Sequence, residues 1–359
     1  MFFFDAHLDL AWNAIEWNRD LTRTCHELRK VEKDRGLTFK ARCANTVTLP
    51  DLRQGKVGIV IGTLLARVVQ EQSNPSFCRY DHMEAAQAAA MGQLAWYAAM
   101  ERRGDFRWIK GKADLEASIS DWSAASHEGK TPIGMILSME GADPVLDPSE
   151  LPMWFEKGLR IIGPAHYGVS PYAHGTATIG GLFSKGPDLL KNMEKLGIIL
   201  DVTHLADQAF DEAMSLYQGP VLASHHNCRA LVDDQRQLSD DQIRRLIERG
   251  AVIGAAMDTW MLVPGWKRGT TTVESTGVGL RHVADHIDHI CQLAGNVRHV
   301  GIGSDLDGGF GLEQSPGDLD TIADLSKLCE ILRQRGYSQI DLEAIAHGNW
   351  IRFFRQNLA

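Results

Sequence analysis

With 359 residues, 44% of them hydrophobic and 23% charged, the chain has the apolar material for one large core, and its length forces no second domain. A formal charge of −9 with scattered Lys and Arg removes the basic footprint that a phosphate backbone requires, so nucleic acid is excluded as a partner. The six cysteines (Cys25, Cys43, Cys78, Cys228, Cys291, Cys329) show neither CxxC spacing nor disulfide-scaffold density, which favours a reducing compartment.

In chain order, the first element is FFFDAHLD (2–9), an apolar run that ends in a histidine and two carboxylates. It has no positive leader region and no small-residue cleavage site. No stretch reaches the roughly 18 uninterrupted apolar residues of a membrane span, and the closing RFFRQNLA is no anchor tail. The expectation is a cytoplasmic protein without a membrane partner, with a homodimer left open. Residues 19–45 then interrupt the pattern with dense charge, before VGIVIGTLLA (57–66) resumes it.

A helix is predicted over 81–104, opened by Asp81 with Glu84 and closed by Gly104. IGMILSMEG (133–141), LRIIGPAH (159–166), GIILDVTH (197–204) and PVLASHH (220–226) follow as apolar runs, with helical periods over 184–197 and 205–217. Ser239 and Gln242 form a capping box for a helix that Gly250 closes. After AVIGAAM (251–257) comes a second interruption, 258–277, rich in glycine and threonine. Helical periods over 278–295 and 319–336 flank the last run, HVGIGSDLD (299–307). Each interruption reads equally as solvated surface or as a wall of an active-site mouth.

Runs that are apolar on both faces and alternate with helices suit a parallel sheet covered by helices; eight of them suit a (β/α)8 TIM-type barrel over 1–359. An open doubly wound sheet is the alternative, but DAHLDLAWN lacks the glycine fingerprint usual after its first strand. In a barrel the residues at the C-terminal ends of the strands converge on one face. Those residues are His7, Asp9, Glu140, His166, His204, His225, His226, Asp305 and Asp307. Imidazoles and carboxylates without thiolates are a ligand set for zinc and similar divalent ions.

His7 and Asp9, one residue apart, point to the same side of an extended strand and can grip one ion. Alone, HxD is as readily a strand-end pair bonded to backbone. Glu140 has two oxygens with which to bridge two metals, although a capping acid looks the same. His204 and His225 suit a second ion; a lone strand-end histidine is more often a hydrogen-bonded core group, but five such residues ending four strands reverse that weighting. Asp305, in a glycine-rich turn, is assigned as general base and acid beside a metal-activated water. Asp307 before Gly-Gly is read as a turn former, and His226 as structural.

Together DAHLDL, SMEGA, GPAHYG, KLGIILDVTH, ASHHNCRALVDDQRQLSDDQI, HVADHIDHI with HVGIGSDLDGG, and HGNWIRFF resemble the membrane dipeptidase family, peptidase family M19, over nearly the whole chain. The resemblance implies a zinc-dependent dipeptidase acting on L,L- and, as an open option, L,D-dipeptides. It implies two zinc ions: His7 and Asp9 on one, His204 and His225 on the other, Glu140 and a hydroxide between them. It also implies Asp305 as acid and base, His166 as a substrate-binding group at the oxyanion, and Arg236 as the clamp on the substrate's carboxylate. Arg236 lies just before the Ser239 cap, and guanidinium matches carboxylate bidentately; a surface arginine pairing with Asp233 or Asp234 is the plainer reading. His226 departs from the small residue usual there, and Tyr167, Tyr172 and His174 stand where the pocket would be reshaped. Rival readings are a hydrolase of N-acyl amino acids, lactones or phosphotriesters, a deaminase, or a catalytically idle binding barrel. Against these stand HxD in place of HxH, Glu140 in place of a modified lysine, and the complete ligand set.

Overall fold

All eight apolar runs are β-strands in the computed structural model, which describes residues 1–69, 79–124 and 130–358. They are β1 (Phe3–Leu8), β2 (Val57–Leu64), β3 (Ile133–Glu140), β4 (Leu159–Gly163), β5 (Ile199–Asp201), β6 (Val221–Leu222), β7 (Ile253–Ala255) and β8 (Val300–Ile302). Every pairing between them is parallel, from β1 through β6 in chain order and from β7 through β8 back to β1. The circle closes where Ala223, just past β6, bridges Ile253 of β7. There Gly254 N donates to Ala223 O at 2.8 Å, and His226 N donates to Gly254 O at 2.7 Å. A short extra strand, Phe106–Trp108, pairs with β3 outside this circle.

Alternation along β1 shows how one strand serves two layers. Phe4 faces the helices and stacks on Phe354 at 5.4 Å and beside Trp350 at 6.0 Å. Asp5 and His7, on the other side, face the barrel axis. The strand-end layer of the interior is polar yet paired: Asp5 accepts from Ser304 N at 2.9 Å and His7 N at 3.1 Å, and Asp201 from Thr203 N and Ser224 N at 3.0 and 3.1 Å. Space there is short, since a Cβ at Gly303 or Gly254 would lie 1.8 or 1.9 Å from the carbonyl oxygen of Ser224. Glycine at both positions lets β6 approach β7 and β8.

Helices cover the outside as the periodicity predicts: Gly186–Leu196, Asp207–Leu216, Asp240–Glu248, Leu280–Ala294 and Ser326–Gln334. The Ser239–Gln242 capping box is present, and Gly197 and Gly295 close their helices in the left-handed conformation. Two boundaries differ most from expectation, and the helix predicted from 319 begins at Ser326, after a 3-10 turn over Ile322–Leu325. The helix predicted from Asp81 spans Met83–Arg102 and is capped by the His82 ring, which accepts from Ala85 N at 3.3 Å. Among the described residues no helix is long and apolar enough to cross a membrane. The five described cysteines are free thiols, and Cys78 lies outside the described residues.

Both interruptions wall the cavity at the strand ends, through Lys40 from the first and Asp258, Met261 and Arg268 from the second. Part of the charge of 19–45 is buried and paired, while Arg23, Lys30 and Asp34 stay exposed. Arg19 binds Glu32 at 2.9 Å and Asn13 Oδ1 at 2.7 Å, and Arg42 binds the same Glu32 oxygen at 2.8 Å. Asp307 is more than a turn former. Its carboxylate accepts from Thr46 N at 2.7 Å, Thr46 Oγ1 at 2.9 Å and Val47 N at 3.1 Å, with Arg19 at 3.7 Å. Removing one member of such a buried charged network leaves the others unpaired, at a cost of about 3–5 kcal/mol. Asp307→Ala is therefore expected to lower unfolding free energy by about that much in urea titration; a loss under about 1 kcal/mol would deny the clamp its role.

Candidate active site

Glu140, the last residue of β3, stands among four imidazoles delivered by four other strands. Its Oε1 lies 3.1 Å from His204 Nε2, 3.4 Å from His225 Nε2, 3.5 Å from His7 Nε2 and 3.7 Å from His166 Nε2. Asp9 and Asp305 flank His7 Nε2 at 3.8 and 3.9 Å. Seven of the nine strand-end residues that the sequence singles out thus meet at one place, and His7, Asp9, Glu140, His204 and His225 are all buried. Two trios, His7–Asp9–Glu140 and Glu140–His204–His225, each offer ligand atoms within 4.8 Å of one another, as does His7–His225–Asp305.

Hydrogen bonds on the far side of the rings decide what they present. Thr176 Oγ1 donates to His204 O at 3.3 Å, so its lone pair is left for His204 Nδ1–H at 2.9 Å. Ser224 Oγ lies 2.9 Å from His225 Nδ1. His204 Nε2 then turns a bare lone pair inward, 3.1 Å from His225 Nε2, where a cation would find two nitrogen ligands. Burial first, and then the charges of Arg236 and nearby imidazoles, hold His204 and His225 well below the usual imidazole range, as neutral ligands. At His7 burial opposes protonation, but Glu140, Asp9 and Asp305 outweigh it and lift the ring to about 10. Burial and the charge of Glu140 push Asp9 up to about 7. Asp305 is raised by burial and by Glu140 and Asp9, with His7 pulling the other way. Carboxylates this crowded call for positive charge, and the donor set fits divalent metal ions.

Backbone shape contributes as well. His204, Asp305 and Asp307 occupy the left-handed region at φ +69°, +57° and +63°, which costs a non-glycine residue about 1–3 kcal/mol. Gly308 is required next to them, because a Cβ there would sit 1.9 Å from Asp305 Oδ1. The glycine-rich turn makes room for the carboxylate itself.

Above the cluster opens a cavity of about 340 Å³, lined by Asp9, Glu140, His166, His204, Arg236 and Asp305 at its floor. Arg236 is no surface arginine. It is 2% exposed, donates one Nη2 bond to His225 O at 3.0 Å, and leaves Nε and Nη1 buried without a partner among the described residues. Of the residues expected to reshape the pocket, Tyr167 lines it. Tyr172 does not: it is fully buried and bonds Val145 O. His174 stacks on Phe183 at 4.5 Å and bonds Gly181 O, also away from the cavity. His226 is buried outside the ligand trios. Asp258, which directly follows the seventh run, was missed by closing that run at Met257. It lines the cavity, bonded to Trp260 Nε1 and Gln314 Nε2 at 2.7 Å each.

A family model described as membrane dipeptidase (peptidase family M19) matches residues 1–359. An uncharacterised protein of Klebsiella pneumoniae, from the pqqA 5′ region, is 29% identical over 278 residues, 75% of this chain and 94% of that one. The dipeptidase aclJ of Aspergillus oryzae is 27% identical over 241 residues, 66% of this chain but only 54% of that one. Among solved structures, a metallopeptidase from Rhodobacter sphaeroides, liganded with a phosphinate mimic of the dipeptide L-Ala-D-Ala, superposes with a TM-score of 0.78 at 23% identity. That superposition covers 100% of this chain and 99% of that one, and the likeness is one of fold.

Divalent metal at about 100 times its Kd stabilises a protein by about 2.7 kcal/mol. Zinc added to chelator-stripped protein should therefore raise Tm by roughly 3–5 °C, and His225→Ala should abolish most of that rise; an unchanged Tm in differential scanning calorimetry would count against a metal site.

Proposed function

The chain belongs to the membrane dipeptidase family, peptidase family M19, and from that premise we propose that it hydrolyses the peptide bond of dipeptides, L,L and also L,D, with two zinc ions. The observation that carries this reading is one juxtaposition: a carboxylate ringed by imidazole nitrogens within 3.7 Å, below a cavity into which a buried, half-unpartnered guanidinium points. His7 and Asp9 would hold one ion, His204 and His225 the other, with Glu140 shared between them. Bound there, the ions supply a charge that polarises the scissile carbonyl and acidify a water towards neutral pH.

The remaining steps belong to side chains. Arg236 takes the substrate's α-carboxylate with its two unused donors, fixing the peptide bond over the cluster. His166, beside Glu140 on the cavity floor, donates to the carbonyl oxygen as negative charge develops on it. Asp305, raised by burial, accepts the proton of the attacking water and passes it to the departing amine. Residues 1–359 act as one barrel domain in this reading, and the free thiols support a reducing, cytoplasmic setting. The phosphinate ligand of the Rhodobacter sphaeroides protein, a dipeptide mimic, supports the substrate class.

The test is a kinetic screen of L,L- and L,D-dipeptides against lactones, acylated amino acids and phosphotriesters on zinc-loaded protein. Dipeptide turnover with about two ions per chain by elemental analysis is expected if both half-sites fill; one tight ion would end the dinuclear assignment. Asp305→Asn should keep the metal and lose roughly 10²–10⁴-fold in kcat. Arg236→Met should act chiefly on KM, because it removes an interaction shared by ground and transition states.

A further inference from the structure

Five side chains around the cavity are cations, Lys40, Arg67, Arg79, Arg236 and Arg268, in a chain whose formal charge is −9. Among the described residues, the carboxylates that line it are Asp9, Glu140, Asp305 and Asp258. The first three belong to the ligand cluster, where two divalent ions would more than cancel them. The mouth is consequently positive, with low-dielectric walls that focus the field inward. A dipeptide that brings only its α-carboxylate, received by Arg236, offers no anion to Lys40 or Arg268.

The position of the surplus is traceable. Tyr167 packs on His204 at 5.1 Å and on His166 at 5.0 Å, close to the Arg236 guanidinium, which itself reaches His204 Nε2 at 3.4 Å. Arg268 lies over the far face of this arrangement, 5.7 Å from the Tyr167 ring centre, and donates to its hydroxyl at 3.0 Å. Asp258 is 3.5 Å away and Asp305 also acts on it, so its charge is offset in part, while Asp258, fixed by Trp260 and Gln314, braces the arm of Arg268. Lys40 makes no hydrogen bond or ion pair among the described residues. Burial and the nearby charge of Arg268 both disfavour its ammonium, with Asp258 and Glu313 acting in the other direction. Two cations thus line the same cavity as Arg236, close enough for the charge of one to act on the other.

We infer that the enzyme selects dipeptides whose C-terminal residue has an acidic side chain, received by Lys40 and Arg268 while Arg236 holds the α-carboxylate. The inference rests on the dipeptidase reading for the orientation of the substrate. An apolar side chain there would cover Lys40 without pairing it, and a cationic one would add a third like charge.

The test compares isosteres, so that size is constant. On zinc-loaded protein, kcat/KM is measured for Ala-Asp against Ala-Asn and Ala-Glu against Ala-Gln, in L and D forms at the second position. An acid-to-amide ratio of roughly fivefold to tenfold is expected at low salt, shrinking as ionic strength rises. Lys40→Met and Arg268→Met should each bring the ratio towards one. A wild-type ratio of one or less, or a ratio that neither variant changes, overturns the inference. Calorimetric binding of phosphinate isosteres bearing the acid or the amide separates the two claims. If no dipeptide is cleaved but the acid isostere binds more tightly, the dipeptidase reading falls and the selectivity stands. If the two isosteres bind equally, the selectivity falls whether or not dipeptides are cleaved.

Discussion

A single carboxylate, that of Glu140, is the point on which the barrel is organised. Imidazoles from the ends of β1, β4, β5 and β6 come within 3.1–3.7 Å of one of its oxygens, and no open sheet could bring so many strand ends to one atom. Burying such a group is unfavourable unless its surroundings are fixed in advance. That requirement explains the polar layer beneath it. Asp5 and Asp201 tie neighbouring strand ends through backbone N–H groups, while Thr176 and Ser224 hold the far sides of the His204 and His225 rings. The apolar outer face of each strand anchors to helices and leaves the inner face for this chemistry.

A second tier of buried charge holds the acid-bearing turn against the first strand. Asn13 donates to the carbonyl of Asp9 at 3.0 Å and to that of Asp307 at 2.9 Å, so one amide spans the ends of β1 and β8. Arg19 fixes that amide from the other side. Replacing such ion pairs by apolar groups is often neutral or stabilising for a fold. Here they occupy the place that keeps Asp305 and Asp307 in their left-handed conformations, next to a glycine that leaves the Asp305 carboxylate its space.

Much of this was legible in the sequence for one physical reason: an ionisable residue that ends an apolar run has no place in a core, so His7, Glu140, His204 and Asp305 identified themselves. Strand order and barrel closure followed from run length and alternation with helices. Asp258 obeys the same rule and was lost only because its run was closed one residue early. Lys40, Arg67 and Arg268 were not legible, since a cation in a polar loop looks the same whether it faces water or a cavity. The segment 19–45 left its two readings level for the same reason, because the partners of its buried charges lie inside the segment and far along the chain at Asp307 and Asp320. The His82 cap was missed because the dense acid signal of Asp81 and Glu84 masks a ring that can accept the same hydrogen bond.

The pairing of Asp5 with Ile302 joins the first strand to the last. During synthesis β1, with His7 and Asp9, leaves the ribosome about three hundred residues before the strand that must lie beside it. Until β8 emerges, one edge of β1 stays open, and the Asp305 side of the ligand cluster does not exist. Half-made chains therefore expose an apolar strand edge, a surface prone to mispairing. A chain cut short before β8 would lack both the seam and the acid, so the maturity of the chain and the completeness of its site are settled by the same closure.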